Sequence, residues 1–139
     1  MLFGLFDLFS KKDIGKYGEK VAARYLKKKG YRIVGKNLHF GKNELDLVVK
    51  NKEFIAFVEV KTRSYENPED AELHRPALAV DREKRLRTVQ AVRDYLRAHP
   101  THLCPRLDVI EVYLDRQDHN RPFKINHIEA AFAANGNIH

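Results

Sequence analysis

Two neighbouring stretches of the sequence decide the fold: Glu44–Val49 (ELDLVV) and Phe54–Arg63 (FIAFVEVKTR), joined by Lys50–Glu53 (KNKE). Both stretches contain many branched and aromatic residues, which is typical of β-strands, and the polar connection is typical of a tight turn. A β-hairpin is therefore the first structural prediction.

The register of this hairpin determines which charged side chains meet. We align Val49 with Phe54 across the turn. This alignment places Glu44 opposite Glu59, with Asp46 on the diagonal of Glu59.

Alternate residues of a strand share a face, so the hairpin is predicted to have one charged and one apolar face. The charged face carries Glu44, Asp46, Glu59 and Lys61. The apolar face carries Leu45, Leu47, Val58 and Val60.

The carboxylates on the charged face repel each other and need a compensating charge. A hard divalent cation such as Mg²⁺ or Ca²⁺ takes oxygen ligands from two or three carboxylates, so this face is a candidate metal site. Lys61 could orient or deprotonate a water there, or stabilise charge on a phosphate. The alternative is a solvated strand face on which Lys61 and Arg63 neutralise the acids.

A helix is predicted before the hairpin. Apolar residues recur at helical spacing over Ile14–Lys29, Asp13 can cap the start, and Gly30 suits the left-handed backbone that often follows a helix. At about 100° per residue, Glu19 falls on the shoulder of the buried stripe. A helix packed over the sheet would therefore bring Glu19 to the carboxylate cluster.

The rest of the chain supplies the remaining elements of an α/β fold. These are a strand over Tyr31–Val34 and Asn37–Phe40 interrupted at Gly35, an irregular segment Ser64–Val80, a helix Asp81–Ala98, a strand Leu107–Leu114, and a closing strand or helix Ile125–Phe132. The predicted order is α-β-β-β-α-β, a mixed central sheet flanked by helices. We divide the chain into an N-terminal apolar extension (1–12), one domain (13–134) and a tail (135–139).

The composition limits the classes of protein to which the chain can belong. Its 139 residues, 43% of them hydrophobic, suffice for one domain and are too apolar for a disordered chain. The single cysteine, Cys104, excludes a disulfide framework and fits a cytoplasmic protein. Met1–Phe9 (MLFGLFDLF) falls short of the roughly 20 apolar residues of a transmembrane helix. The net charge of +7 favours a polyanionic partner, nucleic acid first and an anionic membrane second.

A longer series of motifs resembles a known family. A predicted helix that carries Gly18-Glu19 comes first, then Asp46, and thirteen residues later Glu59-Val60-Lys61. This order of motifs resembles the PD-(D/E)XK nuclease superfamily. The chain more closely resembles the uncharacterised bacterial YraN family, which is similar to archaeal Holliday-junction resolvases. The matching stretches are Gly15–Leu26, Gly30–Val34, Glu44–Val48, Phe57–Arg63, Lys84–Leu96, Arg106–Val109 and Ile128–Phe132.

The resemblance implies a restriction-endonuclease-like domain with metal-dependent nuclease chemistry. Asp46 and Glu59 would hold Mg²⁺ or Mn²⁺, and Lys61 would serve the attacking water. Glu19 would contact the metal through water. The family usually has Gly directly before its Glu-Ile-Asp run, where this chain has Asn43.

The expected activity is hydrolysis of phosphodiester bonds in DNA, with branched or otherwise structured DNA as the expected substrate. Arg63, Lys84 and Arg85 are the cations expected to contact its phosphates. No transmembrane segment is expected, and homodimer formation is left open.

Two other classes of function remain alternatives at this point. One is a non-catalytic nucleic-acid-binding or adaptor protein that keeps the nuclease fold. The other is a scaffold docked to a membrane or a protein through Leu2–Phe9.

The spacing of His99, His102 and Cys104 suggests a zinc site, but this cluster lacks a fourth ligand. We therefore expect Cys104 to be a small packed residue.

Overall fold

The computed structural model describes residues 11–73 and 82–139, which fold into two α-helices and five strands. The predictions about Met1–Phe9 lie outside these residues. The elements are α1 (Lys11–Lys28), β1 (Arg32–Phe40), β2 (Asn43–Lys50), β3 (Phe54–Tyr65), α2 (Arg82–Ala98), β4 (Cys104–Asp115) and β5 (Arg121–Ile128). Two 3-10 helices lie at Pro68–Leu73 and Arg116–Asp118.

The five strands form one mixed sheet in the order β1-β2-β3-β4-β5. β3 and β4 are parallel and pair along their whole length, with Phe54 beside Cys104 at one end and Tyr65 beside Asp115 at the other. All other neighbouring strands of this sheet are antiparallel. The chain segment between the two parallel strands contains α2, which serves as the crossover that parallel pairing requires. This small α/β domain, with its helix-flanked mixed sheet, confirms the predicted fold class and is consistent with a nuclease-like fold.

The two helices cover opposite faces of the sheet. α1 packs Val21, Ala22 and Leu26 on one face, against residues that include Leu47, Val58, Ile110 and Val112. α2 packs Ala91, Val92 and Tyr95 on the other face, against residues that include Val48, Ile55 and Phe57. No helix within residues 11–73 and 82–139 is long and apolar enough to cross a membrane.

The structure corrects several predicted boundaries. β1 is continuous through Gly35, where a register shift after Ile33 accommodates the predicted interruption. β3 extends to Tyr65, into the segment predicted to be irregular, because β4 pairs with it to that point. The closing element is a strand, and it begins at Arg121 because it pairs with the end of β4.

Candidate active site

The hairpin register differs by two residues from the one predicted, and the turn explains why. The Asn51 side chain accepts hydrogen bonds from the backbone N–H groups of Glu53 and Phe54, at 2.9 and 2.7 Å. The Asn51 N–H also donates to the Phe54 carbonyl at 3.0 Å. This tight turn pairs Val49 with Ala56, so the predicted pairing of Val49 with Phe54 is wrong.

Asp46 lies where the ladder between β2 and β3 ends. Pairing of the two strands stops at Leu47–Val58, one residue short of Asp46 on β2 and of Glu59 on β3. Beyond this pair, the Asp46 carboxylate accepts a hydrogen bond from the Val60 backbone N–H at 2.9 Å. Without a backbone partner on β2, the Val60 amide would be left without a hydrogen bond, and the Asp46 side chain provides one.

The alternation of β2 breaks at Asp46. Leu47 packs in the core under α1, whereas Leu45 packs with the residues under α2. The prediction that Leu45 and Leu47 share one face is therefore wrong, because Asp46 lies where β2 leaves β3.

A cleft of about 370 Å³ opens where β2 and β3 part. Four acidic residues line it: Glu19, Glu44, Asp46 and Glu59. Lys61 does not line the cleft, but its ammonium lies 3.0 Å from the Glu59 carboxylate. The structure therefore brings together the four residues that the sequence singled out as catalytic, from α1, β2 and β3.

Glu59 is surrounded by two ammonium groups. Its Oε1 atom lies 3.0 Å from Lys61 Nζ and 3.0 Å from Lys84 Nζ. Burial acts to raise the pKa of Glu59, but the two lysines outweigh it and hold the pKa below its usual value. Glu59 is therefore ionised at neutral pH.

The pKa of Lys61 is shifted in the direction that general-base chemistry requires. Burial lowers it first, and a hydrogen bond from Lys84 lowers it further, while Glu59 opposes both effects. Of the two lysines, Lys61 is the one that gives up its proton more readily. A neutral amine at this position can accept a proton from water.

Asp46 and Glu19 carry negative charge that this cleft compensates poorly. Burial raises the pKa of Asp46 to about 6; the hydrogen bond from Val60 opposes the rise, and neighbouring carboxylates, Glu19 first, add to it. Burial also raises the pKa of Glu19, against a hydrogen bond from the Asn37 side chain. A cation in the cleft would relieve both groups.

Close packing of α1 on β3 positions Glu19. Gly18 lies so close to β3 that an added Cβ atom would overlap the Thr62 side chain. Because only a glycine allows this approach, α1 crosses the sheet close to β3, and the next residue, Glu19, reaches the cleft.

The three predicted phosphate-binding cations have different surroundings. Lys84 lines the cleft and contacts Glu59. The guanidinium of Arg85 donates to the Gly136 carbonyl at 2.6 Å, a contact that holds the C-terminal segment. Arg63 is half-buried, and its Nε atom has no hydrogen-bond partner among the described residues.

Three residues of the cleft wall were not among the predicted site residues: Lys42, Arg87 and Thr88. Arg87 and Thr88 lie one turn after Lys84 on α2, so the spacing of three to four residues could have identified them. Lys42 lies in the β1–β2 turn, and no pattern in the sequence indicates that this turn reaches the cleft.

A second polar cluster lies near the start of β4. Arg106 contacts Asp108 through two N–O distances of 2.9 Å, and His127 Nε2 lies 2.8 Å from the same carboxylate. Asp108 is fully buried and also accepts from the Ala130 N–H at 3.1 Å. With its hydrogen-bonding capacity used internally, this cluster is a structural link between β4 and β5.

The zinc alternative gains no support from the structure. Among residues 11–73 and 82–139, no three His, Cys, Asp or Glu side chains are grouped closely enough to hold a metal ion, and this applies to the acidic cleft as well as to His99, His102 and Cys104. Cys104 is exposed at the first position of β4, level with the hairpin turn, so the prediction of a packed cysteine is wrong.

Fold and site together define a small α/β domain of nuclease-like architecture with an acidic cleft. Comparison with known proteins places it more narrowly: Uncharacterised protein family UPF0102 matches residues 18–112, and the chain belongs to that family. The YraN-type resemblance is thereby confirmed.

Relatives at substantial identity cover most of the chain. A UPF0102 protein of Caldanaerobacter subterraneus subsp. tengcongensis is 41% identical, over 88% of this chain and 97% of its own length. A UPF0102 protein of Chlorobaculum tepidum is 40% identical, over 86% of this chain and 91% of its own. A third, from Flavobacterium psychrophilum, is 37% identical over 86% and 93%.

Proposed function

We propose that this protein is a Mg²⁺- or Mn²⁺-dependent endonuclease that hydrolyses phosphodiester bonds of DNA, with branched or otherwise structured DNA as its substrate. The observation that carries the proposal is the meeting of Asp46 and Glu59 in one cleft, with Lys61 at 3.0 Å from Glu59. A protein that only bound phosphates would gain nothing from carboxylates at that position.

The donor set of the cleft suits a hard divalent cation. Mg²⁺ in phosphate-processing sites is held by one or two carboxylates and keeps several waters, so a complete protein ligand shell is not required. Asp46 and Glu59 supply two oxygen donors. Burial is the main cause of the raised pKa of Asp46 and neighbouring carboxylates add to it, so a cation at this position would favour the ionised form. We assign metal binding to these two residues.

The other residues of the cleft have distinct roles in this proposal. When bound, the metal lowers the pKa of a coordinated water and neutralises charge on the phosphate. Lys61 accepts the proton of the attacking water, and Glu19 orients water at the open side of the cleft. Lys42 and Arg87, at the cleft wall, bind the phosphates on either side of the cleaved bond.

The net charge of +7 favours DNA as the partner. The single cysteine is typical of a cytoplasmic protein, so we propose that the protein acts in the cytoplasm.

A homodimer would present two clefts to a two-fold symmetric junction, and we propose this assembly for the DNA-bound protein. Sedimentation of the complex at a defined protein-to-DNA ratio measures it.

Cleavage of a panel of DNA substrates tests the proposal. Linear duplex, flap, single-stranded and four-way DNA are incubated with the purified protein and Mg²⁺, Mn²⁺ or EDTA. We expect divalent-cation-dependent incision of the branched substrates, absent in a Glu59→Gln variant purified in parallel. Binding of DNA without incision of any substrate would favour the non-catalytic adaptor instead.

A further inference from the structure

One carboxylate oxygen in the cleft has two cationic partners. Glu59 Oε1 lies 3.0 Å from the ammonium of Lys61 and 3.0 Å from that of Lys84. The two lysines differ in origin and burial. Lys61 is on the same strand with 14% of its side chain exposed, whereas Lys84 comes from α2 with 45% exposed.

This arrangement places positive charge next to a carboxylate that is proposed to hold the metal. A divalent cation and two ammonium groups around one carboxylate repel each other, so metal binding favours displacement of one of the lysines. Lys61 is the more buried of the two lysines. Lys84 is half-exposed at the cleft wall and has solvent on one side.

The helix that carries Lys84 does not depend on this ion pair for its position. Arg82 and Arg85 donate to the carbonyls of Asn135 and Gly136, at 3.1 and 2.6 Å. Further along α2, Val92 and Tyr95 are buried in the core. The Lys84 side chain can therefore turn away from Glu59 while the backbone of α2 stays in place.

We propose, on the basis of the metal-dependent function above, that Lys84 is an exchangeable counter-ion of Glu59. In the cation-free protein Lys84 neutralises Glu59. When a divalent cation binds, Lys84 is released to the cleft wall beside Arg87, where it binds a substrate phosphate. The residue thus competes with the metal and later assists the substrate.

Calorimetric titration with Mn²⁺, without DNA, tests the competition. Lys84→Met keeps the length of the side chain and removes its charge, so we expect about tenfold tighter Mn²⁺ binding than in the parent. Lys52→Met, in the exposed hairpin turn, is the control for net charge and should leave the affinity unchanged. Unchanged or weaker binding by Lys84→Met would overturn the inference, since a merely structural lysine gives that result.

Lysine acylation of the parent protein, followed by mass spectrometry, tests the release independently of any variant. We expect the labelling rate of Lys84 to rise several-fold on adding Mg²⁺, with that of Lys52 constant. A Lys84 rate that Mg²⁺ leaves unaltered would contradict release. If the parent bound no divalent cation at all, the proposed function would fail; if it bound one and Lys84 responded in neither experiment, only this inference would fail.

Discussion

The Asp46 carboxylate lies 2.9 Å from the backbone nitrogen of Val60 and accepts its hydrogen bond at the point where β2 and β3 stop pairing. The bond holds the carboxylate at the start of the cleft that Glu59 also lines. Opening of the sheet and placement of the acidic group are thus one structural feature.

Replacing Asp46 by Asn should stabilise the metal-free protein above pH 7. The pKa of Asp46 is about 6 in the folded protein, against an ordinary value of 3.8. Between these pH values the native state binds more protons than the unfolded state. The native state therefore loses stability as the pH rises from about 4 to above 6. The Asn side chain keeps an acceptor for Val60 without this cost, so we expect a gain on the order of 2–3 kcal/mol above pH 7, absent below pH 4. Urea unfolding at several pH values in EDTA measures it. Asp118→Asn, at an exposed position, should show no such gain.

Two glycines of α1 should respond oppositely to alanine. Gly18→Ala places a Cβ against Thr62 and should destabilise the fold by about 1–3 kcal/mol, while moving Glu19 away from the cleft. Gly15 has open space around it, so Gly15→Ala should stabilise by about 0.5–1 kcal/mol through helix propensity. Thermal unfolding of both variants checks this pair. Equal effects at both positions would contradict the close approach of α1 to β3.

Arg87 should contribute to DNA binding, because it lines the cleft one turn after Lys84. Arg87→Gln should weaken binding of all sequences alike and reduce the slope of log K against log salt by about 0.9. Arg97 lies exposed near the other end of the same helix, so Arg97→Gln should leave that slope unchanged. Fluorescence anisotropy in EDTA over a series of salt concentrations gives both slopes. An affinity of the parent that is independent of salt would contradict a phosphate-dominated interface.

Asp108 should be far more important for stability than surface acids. Its carboxylate is fully buried between Arg106 and His127, so Asp108→Asn should cost about 3–5 kcal/mol at neutral pH. Burial alone would raise the pKa of Asp108, but its hydrogen-bond partners hold it below the ordinary value. Its stabilisation is therefore present above that value and is lost as pH falls below it. Asp94→Asn, which affects a helix-surface ion pair, should cost no more than about 0.5 kcal/mol.

The sequence predicted both helices, the hairpin and the residues of the acidic cluster, because these depend on local patterns, but it did not decide whether the closing element is a strand or a helix. Alternating charge and hydrophobicity along Glu59–Lys61 indicated a strand with one acidic face. The register could not be predicted, since it depends on the side-chain hydrogen bonds of Asn51 in the turn. The contact between Lys84 and Glu59 joins a helix and a strand that are distant in sequence, and the packing of α2 alone determines it.

The most direct test of metal-dependent cleavage is a paired measurement on Asp46→Asn, with binding in EDTA and cleavage in Mg²⁺ on the same four-way DNA. Without metal, the variant has one carboxylate fewer facing the phosphates, so we predict binding at least as tight as that of the parent. With Mg²⁺, it lacks a metal ligand, so we predict a loss of cleavage of about a hundredfold or more. Cleavage by Asp46→Asn at the rate of the parent would contradict the account, because the activity would then not depend on this cleft.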